Sequence, residues 1–326
     1  MTEPLLDVRD LSVRFDTDDG TAHAVDRLSF ELRPGEVLGV VGESGCGKSV
    51  TMMSILGLLP ETATVSGTAS FGGLDLLAAS APELRRVRGR EISVVFQEPM
   101  TSLNPAFTVG RQIGEVLRQH LGLSKAAART RSIELLDLVH IPAASRRVDE
   151  YPHQLSGGMR QRVMIAMAIA CDPKIVIADE PTTALDVTIQ AGILDLMREL
   201  RQRLQTAIVL ITHNLGVVAD LADRVVVMYA GRKVEEAPVY DLFARPQHQY
   251  TIGLLDAIPR PGASDADGRL REIPGRVPTL DRMPEACVFA PRCPRADNAC
   301  VRALPRLALI EPGHVAACIH PGREPA

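Results

Sequence analysis

Residues 42–49 read Gly-Glu-Ser-Gly-Cys-Gly-Lys-Ser and fill every fixed position of G-x-x-x-x-G-K-[ST]. The apolar run Val37-Leu38-Gly39-Val40-Val41 precedes them, and a helix-compatible run from Val50 to Leu59 follows. Strand, glycine-rich loop and helix in that order are what a phosphate cradle requires. Glycine lets such a loop close tightly and come near its ligand, so the N–H groups of Gly45, Gly47 and Lys48 can wrap phosphates. Gly42, Glu43, Ser44, Cys46 and Val50 complete the turn. The helix that starts near Lys48 adds its positive N-terminal end. Lys48 then reaches β/γ phosphates and the Ser49 hydroxyl holds Mg²⁺. A chance glycine-rich turn is the alternative, and the flanking strand and helix speak against it.

The composition fits a globular chain of one large domain or two: 326 residues, 46% hydrophobic, 23% charged, no Trp. A formal net charge of -4 argues against a general nucleic-acid binder. The basic run Arg85, Arg86, Arg88, Arg90 reads accordingly as a solvated face. No apolar run reaches the ~18 residues of a membrane-spanning helix. The N-terminus carries no basic region followed by an apolar stretch, so no signal peptide is expected and the chain is placed in the cytosol. A role at a membrane then needs other subunits to span it.

Alternation in Leu6–Phe15, and more loosely in Ala24–Leu32, predicts two antiparallel strands. A second buried strand is expected at Ile92–Phe96, and residues 109–140 read as helices ended by Pro142. Then follow a helix opened by Ser156, a strand Lys174–Ala178, a helix Thr188–Leu204, a strand Ala207–Thr212, a short helix from Asn214 and a strand Arg224–Met228. Strands alternating with helices imply an α/β fold with a mainly parallel sheet covered on both faces. Beyond Pro246 proline recurs, so regular structure there must be short, and a small appended domain with a thin core is expected.

Four stretches narrow the chemistry beyond the phosphate loop. The run Ile175-Val176-Ile177-Ala178 ends in Asp179-Glu180: the first carboxylate suits a Mg²⁺ shell, and the second can polarise a water aimed at a γ-phosphate. Leu155-Ser156-Gly157-Gly158-Met159 pairs a good N-cap with bare backbone amides for an anion, though Ser-Gly-Gly alone is only a helix start. His213 follows a strand at the end where ligands bind in such sheets, and Gln97 also follows a strand. An ordinary acidic turn and a structural histidine are the plain alternatives.

With these stretches in this order, the chain resembles the ATP-binding subunits of ABC transporters over about residues 5–260. The resemblance makes Gly42 to Ser49 the Walker A motif, Gln97 the Q-loop, Leu155 to Met159 the signature, Ile175 to Glu180 Walker B, Ala184-Leu185-Asp186 the D-loop and His213 the switch histidine. It implies a P-loop ABC ATPase domain with a mainly parallel core sheet, an antiparallel β subdomain and a helical subdomain at about 100–170. Domain limits of 1–259 and 260–326 follow. Met159 stands where the commonest signature has Gln. Phe15 lies where the family stacks an aromatic on adenine, with a core role as the alternative and His23 a weaker candidate. In the family, ATP is sandwiched between Walker A of one protomer and the signature of another. A second ATPase subunit, related or identical, is therefore implied.

Two further stretches resemble the dipeptide, oligopeptide and nickel importer branch. One is Phe96-Gln97-Glu98-Pro99-Met100-Thr101-Ser102-Leu103-Asn104-Pro105; the other runs from Arg245-Pro246-Gln247-His248 to Cys287-Val288-Phe289-Ala290-Pro291-Arg292-Cys293-Pro294. The resemblance implies peptide uptake with two membrane-spanning permease subunits, an extracytoplasmic peptide-binding protein acting indirectly, no nucleic acid, and a peripheral place on the cytoplasmic face of the membrane. Nickel or another small solute is the alternative cargo. A soluble ABC ATPase acting on nucleic acid and a redox-sensing regulator are the alternative functions. Four of the six cysteines, Cys287, Cys293, Cys300 and Cys318, fall in the last 40 residues, which in a reducing compartment reads as metal binding. Their spacing lacks the tight pairs of structural zinc, and similar tails in the branch imply a 4Fe-4S cluster, with zinc as the alternative. His314 and His320 flank Cys318 and could substitute as ligands, but they are expected at the surface.

Overall fold

The structure is a computed structural model that describes residues 3–17, 20–183, 186–258, 272–278, 281 and 284–323. Ala184 and Leu185 of the expected D-loop, and residues 260–271 at the expected domain boundary, lie outside the described residues. The chain divides into two compact units: residues 1–32, 38–78 and 212–326 form one, and residues 33–37 and 79–211 the other.

The first unit holds an antiparallel sheet in the order Gly20–Leu32, Leu6–Thr17, Ala63–Phe71, Leu74–Asp75. Its first two strands are the alternating pair, each extended toward the other until Thr17 faces Gly20. Alternation works here because one face is covered: Leu6, Val8, Leu11 and Val13 are each at most 1% exposed. Beside it, Val37–Val41 runs parallel to Arg224–Tyr229, with Val40 opposite Val226. Both strands are almost wholly buried, which is why they read as unbroken apolar runs. Each such side chain contributes about 1.5–3 kcal/mol on leaving water. Arg232–Pro238 pairs antiparallel with Arg224–Tyr229, and the tail adds His314–Ala316 and then Ala308–Glu311 outside it.

In the second unit, Ile92–Val95, Ile175–Asp179 and Ala207–Thr212 pair in parallel, with Ile177 between Val94 and Val209. Its helical part contains Val109–Leu121 and Lys125–Leu138. Thr108 Oγ accepts from the Arg111 N–H and Ser124 Oγ from the Ala127 N–H, and Gly122 closes the first helix at φ 66°. Val109, Ile113 and Leu117 recur every four residues and are fully buried. Gly110 lies so close to Val148 that a Cβ would stand 2.3 Å from its Cγ2. The basic run behaves as a solvated face, with Arg85, Arg86 and Arg90 exposed.

The tail is fastened by a buried carboxylate. Glu235 is 0% exposed, and its oxygens accept from the Gln247 N–H at 2.7 Å, the His248 N–H at 2.8 Å and His314 Nε2 at 2.7 Å. Three donors offset the cost of burying that charge. His314, expected at the surface, is 2% exposed because it answers Glu235; His320 is half-buried and hydrogen-bonded to Asp297. No helix among the described residues is long and apolar enough to cross a membrane.

His248 itself caps the helix Gln249–Asp256 through Nδ1, which accepts from the Tyr250 N–H at 3.0 Å. Burial, opposed by the nearby Glu235 carboxylate, pushes its imidazole down to about 4. The unfolded chain takes up this proton below the ordinary histidine value of ~6.5, while the folded chain does not until pH nears 4. Stability from this group is therefore complete above pH 6.5 and is lost as pH falls toward 4, by roughly 3 kcal/mol. His248→Asn, which retains a capping acceptor without titrating, should flatten the fall in urea midpoint over that range relative to the parent; an unchanged slope would show that His248 does not titrate this way.

Candidate active site

In the first unit the phosphate loop leaves the buried strand Val37–Val41 and ends where the helix Lys48–Ile55 begins. Gly45 and Gly47 take φ 80° and 95°, backbone that only glycine adopts without strain. The loop's floor is tight: a Cβ on Gly47 would stand 2.4 Å from the Ala24 carbonyl oxygen, and one on Gly42 2.3 Å from that of Met228. Gly45 is the opposite case, with open space above it, so the tip of the loop is left for a ligand to approach. Lys48 Nζ donates to the carbonyls of Gly42 at 2.8 Å and Glu43 at 3.0 Å, which keeps an ammonium group inside the loop. Cys46 is buried, its sulfur 3.6 Å from that ammonium, and burial raises its thiol. His213 joins Gly42, Glu43 and Ser44 along a cleft of about 390 Å³, as its place after the Ala207–Thr212 strand suggested. Phe15 is half-buried opposite Ala22 and Ala63, and His23 pairs with Arg14.

In the second unit, Asp179 ends its strand nearly buried and Glu180 turns out of it at φ 47°. A left-handed backbone is costly for glutamate, and here its N–H is held by the Ile211 carbonyl at 2.8 Å. The Glu180 carboxylate accepts from Gln97 Nε2 at 3.1 Å and from the Thr183 hydroxyl at 2.7 Å. Gln97 and Glu180, 83 residues apart, are thus brought into one hydrogen-bonded group. Such fixing holds the carboxylate in one orientation, which a group that must be aimed at a reacting atom requires.

Ser156 caps the helix Gly157–Ala168, its hydroxyl accepting from the Met159 N–H at 3.3 Å, and both Ser156 and Gly157 are exposed. The two glycines differ. A Cβ on Gly157 meets nothing, whereas one on Gly158 would stand 2.7 Å from Ile189 Cγ2, so Gly158 is needed for packing. Asp186 caps the helix Val187–Leu204 by accepting from the Ile189 N–H at 2.9 Å.

Sequence reasoning missed three side chains beside the phosphate loop. Arg292 donates to both carboxylate oxygens of Glu43, at 2.6 and 3.0 Å; the Tyr250 hydroxyl accepts from the Glu43 N–H at 2.8 Å; and Tyr229 lies 3.4 Å from Arg292 Nη1. No local pattern marks them, because they come from segments about 190 to 250 residues downstream.

The family described as ABC transporter matches residues 25–183, and that described as oligopeptide/dipeptide transporter, C-terminal region, matches residues 234–300. The chain is 51% identical over 320 residues to the oligopeptide transport ATP-binding protein OppD of Salmonella typhimurium, covering 98% of this chain and 95% of that protein. It is 54% identical over 318 residues to the probable peptide ABC transporter ATP-binding protein y4tR of Sinorhizobium fredii, covering 96% and 94%. Among solved structures, the ATP-binding cassette MJ0796, dimeric and bound to ADP and Pi, aligns with a TM-score of 0.64 at 27% identity over 72% of this chain and 98% of that one. The cbiO1 subunit of the cbiONQ transporter complex of Clostridium perfringens aligns with a TM-score of 0.62 at 29% identity, over 74% and 92%.

These likenesses correct the cluster expected at Cys287, Cys293, Cys300 and Cys318. The OppD-type relatives, matched over nearly the whole chain, are named for peptide transport and ATP binding and not for an iron–sulfur cluster, and the 4Fe-4S expectation is withdrawn. Burial raises the Cys287, Cys293 and Cys318 thiols, which favours the neutral form. The one tight group of ligand-type atoms among the described residues is Asp297, Cys300 and His320, with a single sulfur. Hydrogen bonds explain that grouping: Asp297 accepts from the Ala299 and Cys300 N–H groups and pairs with His320 at 2.9 Å. By its phosphate loop, its α/β cassette fold and its likeness along nearly its full length, the chain belongs to the ABC transporter ATP-binding family, in the oligopeptide/dipeptide branch, and is an ATPase.

Proposed function

We propose that this chain is the ATP-hydrolysing subunit of an importer for di- and oligopeptides, working at the cytoplasmic face of a membrane with two membrane-spanning permease subunits and a second ATPase subunit. The observation that carries it is the 51% identity to OppD across 98% of the chain, which takes in the C-terminal region as well as the cassette. An extracytoplasmic peptide-binding protein acts indirectly, through the permease. Residues 1–259 form the nucleotide-binding domain, with its helical subdomain at about 100–170, and residues 260–326 form a Cys-rich C-terminal region docked on it.

In this reading the loop Gly42, Glu43, Ser44, Gly45, Cys46, Gly47, Lys48, Ser49 and Val50 binds the phosphates of ATP, with Lys48 supplying the charge. Ser49, Gln97 and Asp179 have the hard oxygen donors that Mg²⁺ prefers and would hold it, and the bound ion would supply positive charge against the phosphates. Glu180 takes a proton from the attacking water, steadied by Gln97 and Thr183, and His213 donates toward the γ-phosphate. Phe15 stacks on the adenine. Ser156, Gly157, Gly158 and Asp186 serve the nucleotide held by the partner ATPase, an arrangement supported by the likeness to a cassette solved as a dimer with ADP and Pi. Closing on ATP and opening after hydrolysis would then move the permease.

Glu180→Gln should lower kcat for ATP hydrolysis by roughly a hundredfold or more while ATP stays bound; hydrolysis at the parental rate would remove Glu180 as the base. Lys48→Ala, by deleting a charge-assisted contact, should weaken ATP binding by about 10- to 100-fold in equilibrium titration. Cells carrying the Glu180→Gln chain in place of the parent should lose uptake of a labelled tripeptide but not of nickel. Retained peptide uptake with lost nickel uptake would reassign the cargo.

A further inference from the structure

Every polar group of Glu43 is in use. Its N–H donates to the Tyr250 hydroxyl at 2.8 Å, its carbonyl accepts from Lys48 Nζ at 3.0 Å, and its carboxylate takes both arms of the Arg292 guanidinium at 2.6 and 3.0 Å. The second residue of the phosphate loop is therefore gripped from two places, the helix Gln249–Asp256 at the end of the nucleotide-binding domain and the turn at Ala290–Arg292 in the C-terminal region.

The grip is built rather than incidental. The Arg292 side chain is 6% exposed, and its remaining donors reach the carbonyls of Pro274 at 2.7 Å and Ile273 at 3.2 Å and the Tyr229 hydroxyl at 3.4 Å. The guanidinium lies over the Tyr229 ring, 5.7 Å from its centroid, and Tyr229 packs in turn with Tyr250 and Phe289, ring centroids 4.7 to 5.4 Å apart. A planar fork held this way fits a carboxylate in one orientation, and a lysine could not reproduce it.

A carboxylate in a loop that must receive a triphosphate works against anion binding unless it is neutralised. We infer that Arg292 is a positioning residue for ATP binding: it neutralises and orients Glu43, so that docking of the C-terminal region sets the nucleotide affinity of the phosphate loop. The consequence rests on the ATPase identity of the chain and not on what the transporter carries. A C-terminal region pulled off the loop would loosen Glu43 and leave its charge facing the nucleotide, so the tail can regulate the ATPase without touching ATP.

The test uses the full chain, equilibrium binding of a fluorescent ATP analogue and steady-state hydrolysis. Arg292→Met should weaken analogue binding about tenfold and raise the KM for ATP by a similar factor, with kcat changed less than about twofold. Arg292→Lys should lie between parent and Arg292→Met, since it restores charge without the fork. In a Glu43→Gln background, which has no carboxylate to neutralise, Arg292→Met should cost less than about twofold. Parental affinity in Arg292→Met, or an undiminished penalty in the Glu43→Gln background with an unchanged melting profile, would overturn the inference and leave Arg292 as a brace of the fold. Should Arg292→Met not fold, Arg292→Lys against the parent decides, and equal affinities overturn it. Neither peptide nor permease enters these measurements, so a wrong cargo would not affect them.

Discussion

One backbone carbonyl, that of Ala24, fixes where the phosphate loop can be. Gly47 approaches it so closely that a Cβ would stand 2.4 Å away, and Gly231 approaches the same oxygen to 2.7 Å by the same measure. Gly231 also donates its N–H to the Cys46 carbonyl at 3.1 Å and its carbonyl accepts from Asp26 N–H at 2.9 Å. Loop, antiparallel sheet and the turn after Arg224–Tyr229 are thereby pinned at one point. The helix that follows starts from that pin: the Gly47 carbonyl accepts both the Thr51 N–H and the Thr51 hydroxyl, so the positive helix end is aimed by the same contact that shapes the loop. A glycine motif signals a phosphate site because two side chains that are missing allow this approach.

The features legible in the sequence were those with local causes. Val37–Val41, Ile175–Asp179 and Ala207–Thr212 are buried on both faces, so their composition alone announced them. Ser156 and Asn214 marked helix starts because they cap them. The strand Ala63–Phe71 left no such trace. It is built of small and polar residues, only Ala69 and Phe71 are buried, and Gly67 sits at φ 107° against the Arg9 and Asp10 carbonyls where the neighbouring strand bulges. Within the candidate site, the motif residues were legible one by one, while the Gln97–Glu180–Thr183 group and the Arg292–Glu43 pair depend on chain folding over 83 and 249 residues. The tail misled for the same reason. Four cysteines in 40 residues suggested ligands, and His314 looked solvent-bound, when its imidazole is spent on Glu235.

Two polar groups, the buried Glu235 carboxylate with its three donors and the Arg292–Glu43 ion pair, join the C-terminal region to the strands and loop it packs on. Such pairs contribute little net stability, because the cost of removing each charge from water nearly cancels the attraction between them. The attachment energy comes instead from apolar area, above all Tyr229, Tyr250 and Phe289, each at most 2% exposed. The ionic pairs do something that area cannot. Apolar contact tolerates sliding, whereas a carboxylate with three fixed donors, or a forked guanidinium on a carboxylate, is satisfied in one geometry only. Breaking either by a small displacement leaves a buried charge unpaired, at several kcal/mol. Small displacements of the tail from its docked register are therefore penalised more steeply than apolar contact alone would penalise them. The second residue of the phosphate loop, held by the same fork, shares that steep penalty.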